Sequence, residues 1–534
     1  MAEPFYLTTP LYYVNARPHL GHAYTTIVAD SIARAQRQRG RTVFLLTGTD
    51  EHGEKIAEAA AKAGENPQAF VDRVSGSFKE LWKLFGISYD RFIRTTDPDH
   101  ERVVQELCRR LHEAGLLKPG TYTFWYCVSC ETGWTAGDFK SPDQKLCPSC
   151  SRPVEEVTEE DYFLHLEPHR IWLKQSIEKG RDVDTGRLFS IRPESRRNEA
   201  LGMLEKALPP LCVTRPRERV SWGITVPFSP DHVTYVWFDA LINYISALGW
   251  PGDPKFKTFW QTAGAVHLIG KDILRHHALY WPIILKAAGI EPPKMIFAHG
   301  WWLVGGEKMS KSRGNAVEPI EIVKTYGLDA FRYFLLRDAP FGEDGVFTEP
   351  NFIKRINSDL ANDLGNLVYR TLTMIEKHLG GQIPKPTGLP GRQGIIQTAL
   401  NKLNQGIRDI QPDESLKGIW ILVSWANRRV EEKAPWKLAK EGKREELEEF
   451  LSEMADILRV LALFVWPFMP GTAEAIWKQL GCSKTLQELV DEAAGEGRDM
   501  ILAHLTHPLP AGQKIAKGKP LFPRIDLKEG KATS

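Results

Sequence analysis

Residues 6–22, YLTTPLYYVNARPHLGH, decide how the rest of the 534-residue chain is read. Residues 5–9 have the composition of a strand, and a proline-marked turn follows them. From His19-Leu20-Gly21-His22 onward, Tyr24, Ile27, Val28, Ile32 and Ala35 recur on one helical face until Gly40. The unit is strand–loop–helix, with two imidazoles at the helix N-terminus. That end carries unpaired N–H groups and the positive pole of the helix dipole, so it suits phosphate. Gly21 leaves room for a flat base against the backbone. Two histidines three residues apart equally suit a helix cap, and this segment alone does not choose between the two.

Far downstream, residues 305–315 read GGEKMSKSRGN. Lys308 and Lys311 sit three apart in a glycine-rich loop, where two ammonium groups suit the moving charge of a departing pyrophosphate. Taken singly, either lysine reads as a solvated basic turn.

The composition, 42% hydrophobic and 25% charged, is that of a globular protein, and the length calls for two to four domains. The sequence holds no apolar run of about 18 residues, so no membrane helix is expected. The start, MAEPFYLTTP, lacks the features of a signal or transit peptide. A net charge of +2 neither favours nor excludes a nucleic-acid partner. Of seven cysteines, four form two pairs, Cys127/Cys130 and Cys147/Cys150, with sixteen residues between them. That spacing falls in the window of zinc ribbons and knuckles. Four thiolates close a tetrahedral ion with no position left for water, so one structural zinc is expected. Free thiols around a metal also point to a reducing, cytoplasmic setting.

Residues 42–47, TVFLLT, read as a buried parallel strand ending at Asp50 and His52, where open α/β sheets gather ligands. Helices are expected over 54–63, 67–85 and 99–114. Residues 233–240, VTYVWFDA, read as another buried strand; 267–270 and 296–299 read as two more, with a helix over 273–288 between them. Beyond about residue 355 only helical periodicity remains, over 356–378, 394–410, 414–432, 444–464 and 470–480. The basic tail from Ala511 reads as a loosely attached end.

In this order, His19-Leu20-Gly21-His22 and Lys308-Met309-Ser310-Lys311-Ser312 resemble the paired signatures of class I aminoacyl-tRNA synthetases. The residues around them resemble the bacterial-type methionyl-tRNA synthetases. The resemblance implies an α/β Rossmann-type parallel sheet, split by a zinc-binding connective insertion and followed by an all-α helical anticodon-binding bundle. On that plan residues 1–114 are the first half of the catalytic domain and 115–240 the insertion. Residues 241–313 are the second half with its lysine loop, 314–355 a stem-contact segment, 356–510 the bundle and 511–534 the tail.

The implied activity is ATP-dependent activation of L-methionine, followed by transfer to the 3′ end of tRNA(Met), the initiator included. His19 and His22 would bond the phosphates, and Lys308 and Lys311 would follow the departing pyrophosphate, with Mg²⁺ arriving on ATP. ATP would also contact Gly21, Gly270 and Asp272. Leu11, Tyr13, Trp237, Ala240, Leu241, Tyr244, Ile273 and His277 match the methionine pocket, whose aromatic walls suit a thioether. Asp50 matches the acid that holds the substrate ammonium. At Leu241 and Tyr12 this chain departs from members that carry proline. Asn366, Arg370 and Trp436 match anticodon-reading positions, with the tools to bond and stack splayed bases. Trp436 after Pro435 equally suits a core position at a helix start. A monomer is expected, since the chain stops soon after its tail segment begins.

Two other readings differ from this one in what they require. A leucyl-type synthetase would carry a much larger insertion between the sheet halves. A non-catalytic RNA-binding relative would be favoured by loss of His22 or Lys311, and both are present.

Overall fold

The computed structural model describes residues 2–15, 18–128, 130–134, 136–139, 145–148, 150–304, 307–308, 318–385 and 390–526. Six strands form its largest sheet: β1 (Pro4–Tyr13), β2 (Thr42–Asp50), β3 (Arg91–Arg94), β4 (Ser190–Arg192), β5 (Ala265–Gly270) and β6 (Met295–His299). Their order is β3-β2-β1-β5-β6-β4. Parallel pairing sets Tyr6 opposite Ala265, Val266 opposite Met295, Met295 opposite Ser190 and Leu46 opposite Arg91. Such strands are covered on both faces, and the continuous apolar runs of β2, β5 and β6 follow from that.

The chain divides into two compact units, one of Pro4–Pro18 and Phe44–His299, the other of Met1–Glu3, His19–Val43 and Gly300–Ser534. In the first, the expected helices form over Glu54–Ala63, Pro67–Leu84 and Pro98–Glu113. Asn66 caps the second of these, its side-chain oxygen accepting from the Ala69 N–H at 2.8 Å. Two expectations fail. Strand β4 lies within residues 115–240, assigned above to the insertion, yet it completes the edge of the parallel sheet. Residues 233–240 are also not one strand: a strand ends at Thr234, and Val236–Ser246 is a helix. The helix is buried nearly all round, so its apolar run carries no period that would tell it from a buried strand.

The rest of the insertion is built on a long hairpin, Leu117–Cys127 against Glu155–Leu164, paired from Leu117–Leu164 to Tyr126–Glu155. Short strands Thr132–Trp134 and Leu211–Cys212 flank it in an antiparallel sheet.

In the second unit the helices run over Asn366–Leu379, Pro390–Asp409, Pro412–Lys433, Arg444–Val465 and Pro470–Gln479. A π-helical stretch, Ile356–Gly365, leads into the first. A further helix, Leu486–Glu496, opens with Thr485 and Glu488 bonded reciprocally, a capping box. The tail is not loose as far as residue 526. Ile515 N–H donates to the Gly381 carbonyl at 2.9 Å, Ala516 N–H to Gln479 at 2.8 Å, and Asn357 exchanges two bonds with Ile525. Two of these four bonds are backbone to backbone, and none leaves a mark in side-chain periodicity. No helix among the described residues is long and apolar enough to cross a membrane.

The helix that carries His22, Leu20–Gln38, belongs to this second unit and buries polar side chains along its length. Asp30 is fully buried, 2.9 Å from Arg34 Nε and 2.7 Å from an Arg332 nitrogen. Arg332, on the helix Leu328–Arg337, also donates to the carbonyls of Phe468 and Pro467 and to Ser31 Oγ, at 2.8, 3.2 and 3.1 Å. One guanidinium thus joins three segments. Removing one partner of such a buried pair leaves an uncompensated charge. Arg332→Met should cost about 3–5 kcal/mol, read as a lower urea midpoint. Asp30→Asn combined with it should cost less than the sum of the two single changes.

Candidate active site

The carboxyl ends of the parallel strands deliver most of the expected amino-acid pocket. Leu11 and Tyr13 lie two apart on β1 and so share one face, Asp50 ends β2, and Gly270 ends β5. The helix Val236–Ser246 supplies Trp237, Ala240, Leu241 and Tyr244. The turn Lys271–Ile273 and the helical stretch after it supply Asp272, Ile273 and His277. Leu11, Tyr13, Trp237, Leu241, Tyr244 and Ile273 all belong to one apolar cluster.

Hydrogen bonds fix this wall. His277 Nδ1 lies 3.0 Å from the Ile273 carbonyl, so it carries the ring proton, and Nε2 accepts from the Tyr244 hydroxyl at 2.8 Å. Burial pushes His277 down to about 4, which keeps the ring neutral. The Tyr6 hydroxyl in turn donates to the Tyr244 carbonyl at 2.7 Å. Trp237 stacks on His276 at 3.8 Å, and both ring nitrogens of that buried histidine lack a partner.

Asp50 is almost fully buried, and its Oδ1 also has no hydrogen-bond partner. Burial first, then Asp239, Glu131 and Glu51, push its carboxyl well above the usual range; only the His52 N–H opposes them. A buried carboxylate in that position is stabilised by a cation brought to it. Asp239 is placed the other way. It lies 2.7 Å from both His52 Nδ1 and His100 Nε2, and His100 continues to Ser246 Oγ at 2.8 Å. Burial raises its carboxyl, but the two histidines outweigh this and hold it below the ordinary value.

Asp239 and His100 were not among the residues expected from sequence. Asp239 fell in the run misread as a strand, and a histidine 139 positions away carries no local signal. Glu131 was also missed. Its Oε1 lies 3.0 Å from the Tyr13 hydroxyl, and burial pushes its carboxyl up to about 7.

In the other unit the two signature histidines cap their helix. Gly21 N–H donates to His19 Nδ1 at 3.1 Å, and His19 N–H donates to His22 Nδ1 at 3.2 Å. The rings stack at 3.8 Å. With Nδ1 accepting, each neutral ring carries its proton on Nε2, the donor that a phosphate oxygen needs. The cap and phosphate readings of the sequence are therefore compatible. The space at Gly21 is set by His19, since a Cβ there would meet the imidazole at 3.0 Å. Lys308 is paired through its backbone with Leu303 in a short hairpin, and Lys311 lies outside the described residues. Asp272 is exposed and folds over Gly270, where a Cβ would come within 2.5 Å of its Oδ1.

The sulfurs of Cys127, Cys130, Cys147 and Cys150 all lie within 4.8 Å of one another, with Cys127–Cys150 at 3.6 Å and Cys130–Cys147 at 3.8 Å. A tetrahedral ion with metal–sulfur bonds of about 2.3 Å sets sulfurs about 3.8 Å apart. These separations are far longer than a disulfide, and the four thiols fit a metal. In the bundle, Asn366 is exposed on the same helix as Arg370. The Arg370 guanidinium stands 5.5 Å over the Trp436 ring and 2.8 Å from Glu431. Trp436 is 42% exposed, which removes the core role open to it in the sequence.

A family model described as tRNA synthetases class I (M) matches residues 5–372. The methionine–tRNA ligase of Caldanaerobacter subterraneus subsp. tengcongensis is 45% identical over 99% of this chain and 80% of its own length. That of Clostridium perfringens is 44% identical, covering 99% and 79%. The chain belongs to the methionine–tRNA ligase family. Among solved structures, Mycobacterium tuberculosis methionyl-tRNA synthetase in complex with methionyl-adenylate matches with a TM-score of 0.89 and 37% identity. It covers 98% of this chain and 100% of that one.

Two outcomes are expected of this family member. Metal analysis should find one tightly held zinc per chain, and Cys147→Ser should lower both the metal content and the melting temperature, because structural zinc binding is coupled to folding. Normal stability with four thiols reactive in the native protein would contradict it. The second outcome concerns pH. His267, His276 and His277 are held neutral by burial, all below their ordinary value of 6.5. The unfolded chain binds their protons first, so stability is full above about pH 6.5 and falls as pH drops toward 4. Each histidine contributes a slope of about 1.4 kcal/mol per pH unit there. A urea midpoint that is the same at pH 7 and pH 5 would contradict this.

Proposed function

We propose that the chain activates L-methionine with ATP and transfers it to tRNA(Met), the initiator included. The methionine carboxylate attacks the α-phosphorus of ATP, giving methionyl-adenylate and pyrophosphate. A hydroxyl of the terminal ribose of tRNA then attacks the acyl carbon and releases AMP. The first step moves little proton density, so positioning and charge stabilisation carry it.

The observation that carries this reading is the buried carboxylate of Asp50 at the end of β2, one oxygen of which has no hydrogen-bond partner, in the same unit as the apolar cluster that holds Tyr13, Trp237 and Tyr244. In our reading Asp50 holds the substrate ammonium, and Leu11, Tyr13, Trp237, Ala240, Leu241, Tyr244, Ile273 and His277 enclose the thioether. His19 and His22 donate from Nε2 to the phosphates, and Lys308 and Lys311 follow the departing pyrophosphate, with Mg²⁺ arriving on ATP. Gly21 and Gly270 let the nucleotide approach the backbone, and Asp272 accepts from its ribose. Cys127, Cys130, Cys147 and Cys150 hold one zinc ion, whose closed sulfur shell makes it structural. Asn366, Arg370 and Trp436 read the anticodon. None of the seven cysteines, all among the described residues, is in a disulfide, which supports a cytoplasmic setting.

Amino-acid-dependent ATP–pyrophosphate exchange across all twenty amino acids tests the activity; a preference for any other than methionine overturns it. Trp436→Ala should leave that exchange unchanged, because it needs no tRNA. Loss of one base–aromatic stack costs about 1–3 kcal/mol, so kcat/KM for tRNA should fall about tenfold to a hundredfold. The loss should shrink on a tRNA whose anticodon is already altered. Additive losses would remove the stacking role.

A further inference from the structure

Cys130 and Glu131 are consecutive residues of the cysteine knuckle, and three aromatic side chains hang on them, Tyr13 and Trp237 of the proposed methionine wall and the neighbouring Tyr235. The Trp237 indole donates to the Cys130 carbonyl at 3.4 Å. The Tyr235 hydroxyl donates to the Glu131 carbonyl. The Tyr13 hydroxyl stands 3.0 Å from Glu131 Oε1 and 3.1 Å from the His52 carbonyl, sharing its one proton between them.

The backbone is strained where this happens. Glu131 has φ 48°, in the left-handed region that non-glycine residues avoid. Such a conformation persists only where its surroundings fix it. The carboxylate is also boxed in. Gly53 has φ 105°, and a Cβ there would lie 2.8 Å from Glu131 Oε1 and 2.9 Å from the Tyr13 hydroxyl. The glycine keeps open the space in which these two groups meet. The Lys55 N–H points at the same oxygen from 3.5 Å, and the Lys55 ammonium lies 5.2 Å over the Tyr13 ring.

We propose that Glu131 is a positioning residue for the amino-acid site: its carboxylate, carried on the metal knuckle, holds Tyr13 in the geometry that methionine requires. The knuckle is then a support of the pocket wall as well as a metal site. Glu131 touches neither substrate, so its effect falls on methionine affinity and spares ATP. The inference rests on the methionine reading above.

Three variants separate the possibilities. Glu131→Gln keeps an acceptor oxygen at the same reach and drops the charge. Glu131→Asp keeps the charge and draws the oxygen back by one methylene. Glu131→Ala removes both. Methionine binding is measured by isothermal titration without ATP, and exchange kinetics give the KM for each substrate. Zinc content and melting temperature are followed in parallel.

The wild type must first show methionine-dependent exchange, and its failure would overturn the functional reading itself. With that in hand, Glu131→Ala and Glu131→Asp should each raise the methionine Kd and KM by about fivefold or more, with the ATP KM and kcat within about threefold. Glu131→Gln should stay within about threefold of wild type in all four quantities. If Glu131→Ala loses zinc or melts early, the Asp and Gln pair carries the comparison. Equal effects of Asp and Gln, equal effects on methionine and ATP, or an unchanged methionine Kd in the Asp variant would each overturn the proposal.

Discussion

Asp239 lies fully buried between His52 and His100, at 2.7 Å from each, and the packing at the carboxyl ends of the parallel strands depends on that contact. It joins three pieces of chain far apart in sequence: the segment after β2, the helix Pro98–Glu113 and the helix Val236–Ser246 that carries Trp237 and Tyr244. A carboxylate taken out of water is costly unless both oxygens are satisfied, and two imidazoles do so here. Asp50, two residues before His52 and nearly as dry, keeps one oxygen unsatisfied. The two acids have opposite shifts because two histidines bond Asp239, whereas burial and the neighbouring acids raise Asp50.

The same economy of groups governs the helix Leu20–Gln38. His19 and His22 each use Nδ1 to close the helix end, which satisfies donors that would otherwise be orphaned and sets both ring tautomers at once. Farther along, Asp30 is clamped by Arg34 and Arg332, and Gln38 Nε2 donates to the Leu463 carbonyl at 2.7 Å. The helix end that carries the two histidines is therefore held by the same element that anchors the helix among the others of its unit.

On the proposal made above, the cysteine knuckle would have a second use beside holding an ion. Its four sulfurs are spaced for an ion, yet the backbone between the second cysteine and the next strand supplies two carbonyls and a carboxylate to aromatic residues from β1 and from the segment 235–237. A small metal-closed loop is rigid for its size, because binding the ion and folding the loop are one event. Rigidity makes it a suitable support for side chains whose positions decide what they bind.

Local signals were enough for much of this. The helix after His19, the buried strands β2, β5 and β6, the amphipathic helices beyond residue 355 and the paired cysteines are all periodicities or spacings within a short window, and each has its cause in that window. Three kinds of feature had no such cause. Val236–Ala240 is apolar except at Asp239, and burial on nearly every face leaves it no period that would tell helix from strand. Strand β4 is three residues long and joins the sheet solely because β6 offers it an edge. The tail beyond residue 511 is held by backbone bonds and by side chains such as Asn357 and Gln479 that lie far away in sequence. The site divides in the same way. Residue types and motif order pointed to Asp50, His19, His22 and the four cysteines. Which carboxylate lacks a partner, which nitrogen of each histidine bears the proton, and that Glu131 reaches Tyr13 across 118 residues were decided by tertiary packing, because burial and hydrogen bonding are properties of neighbours that the chain acquires only on folding.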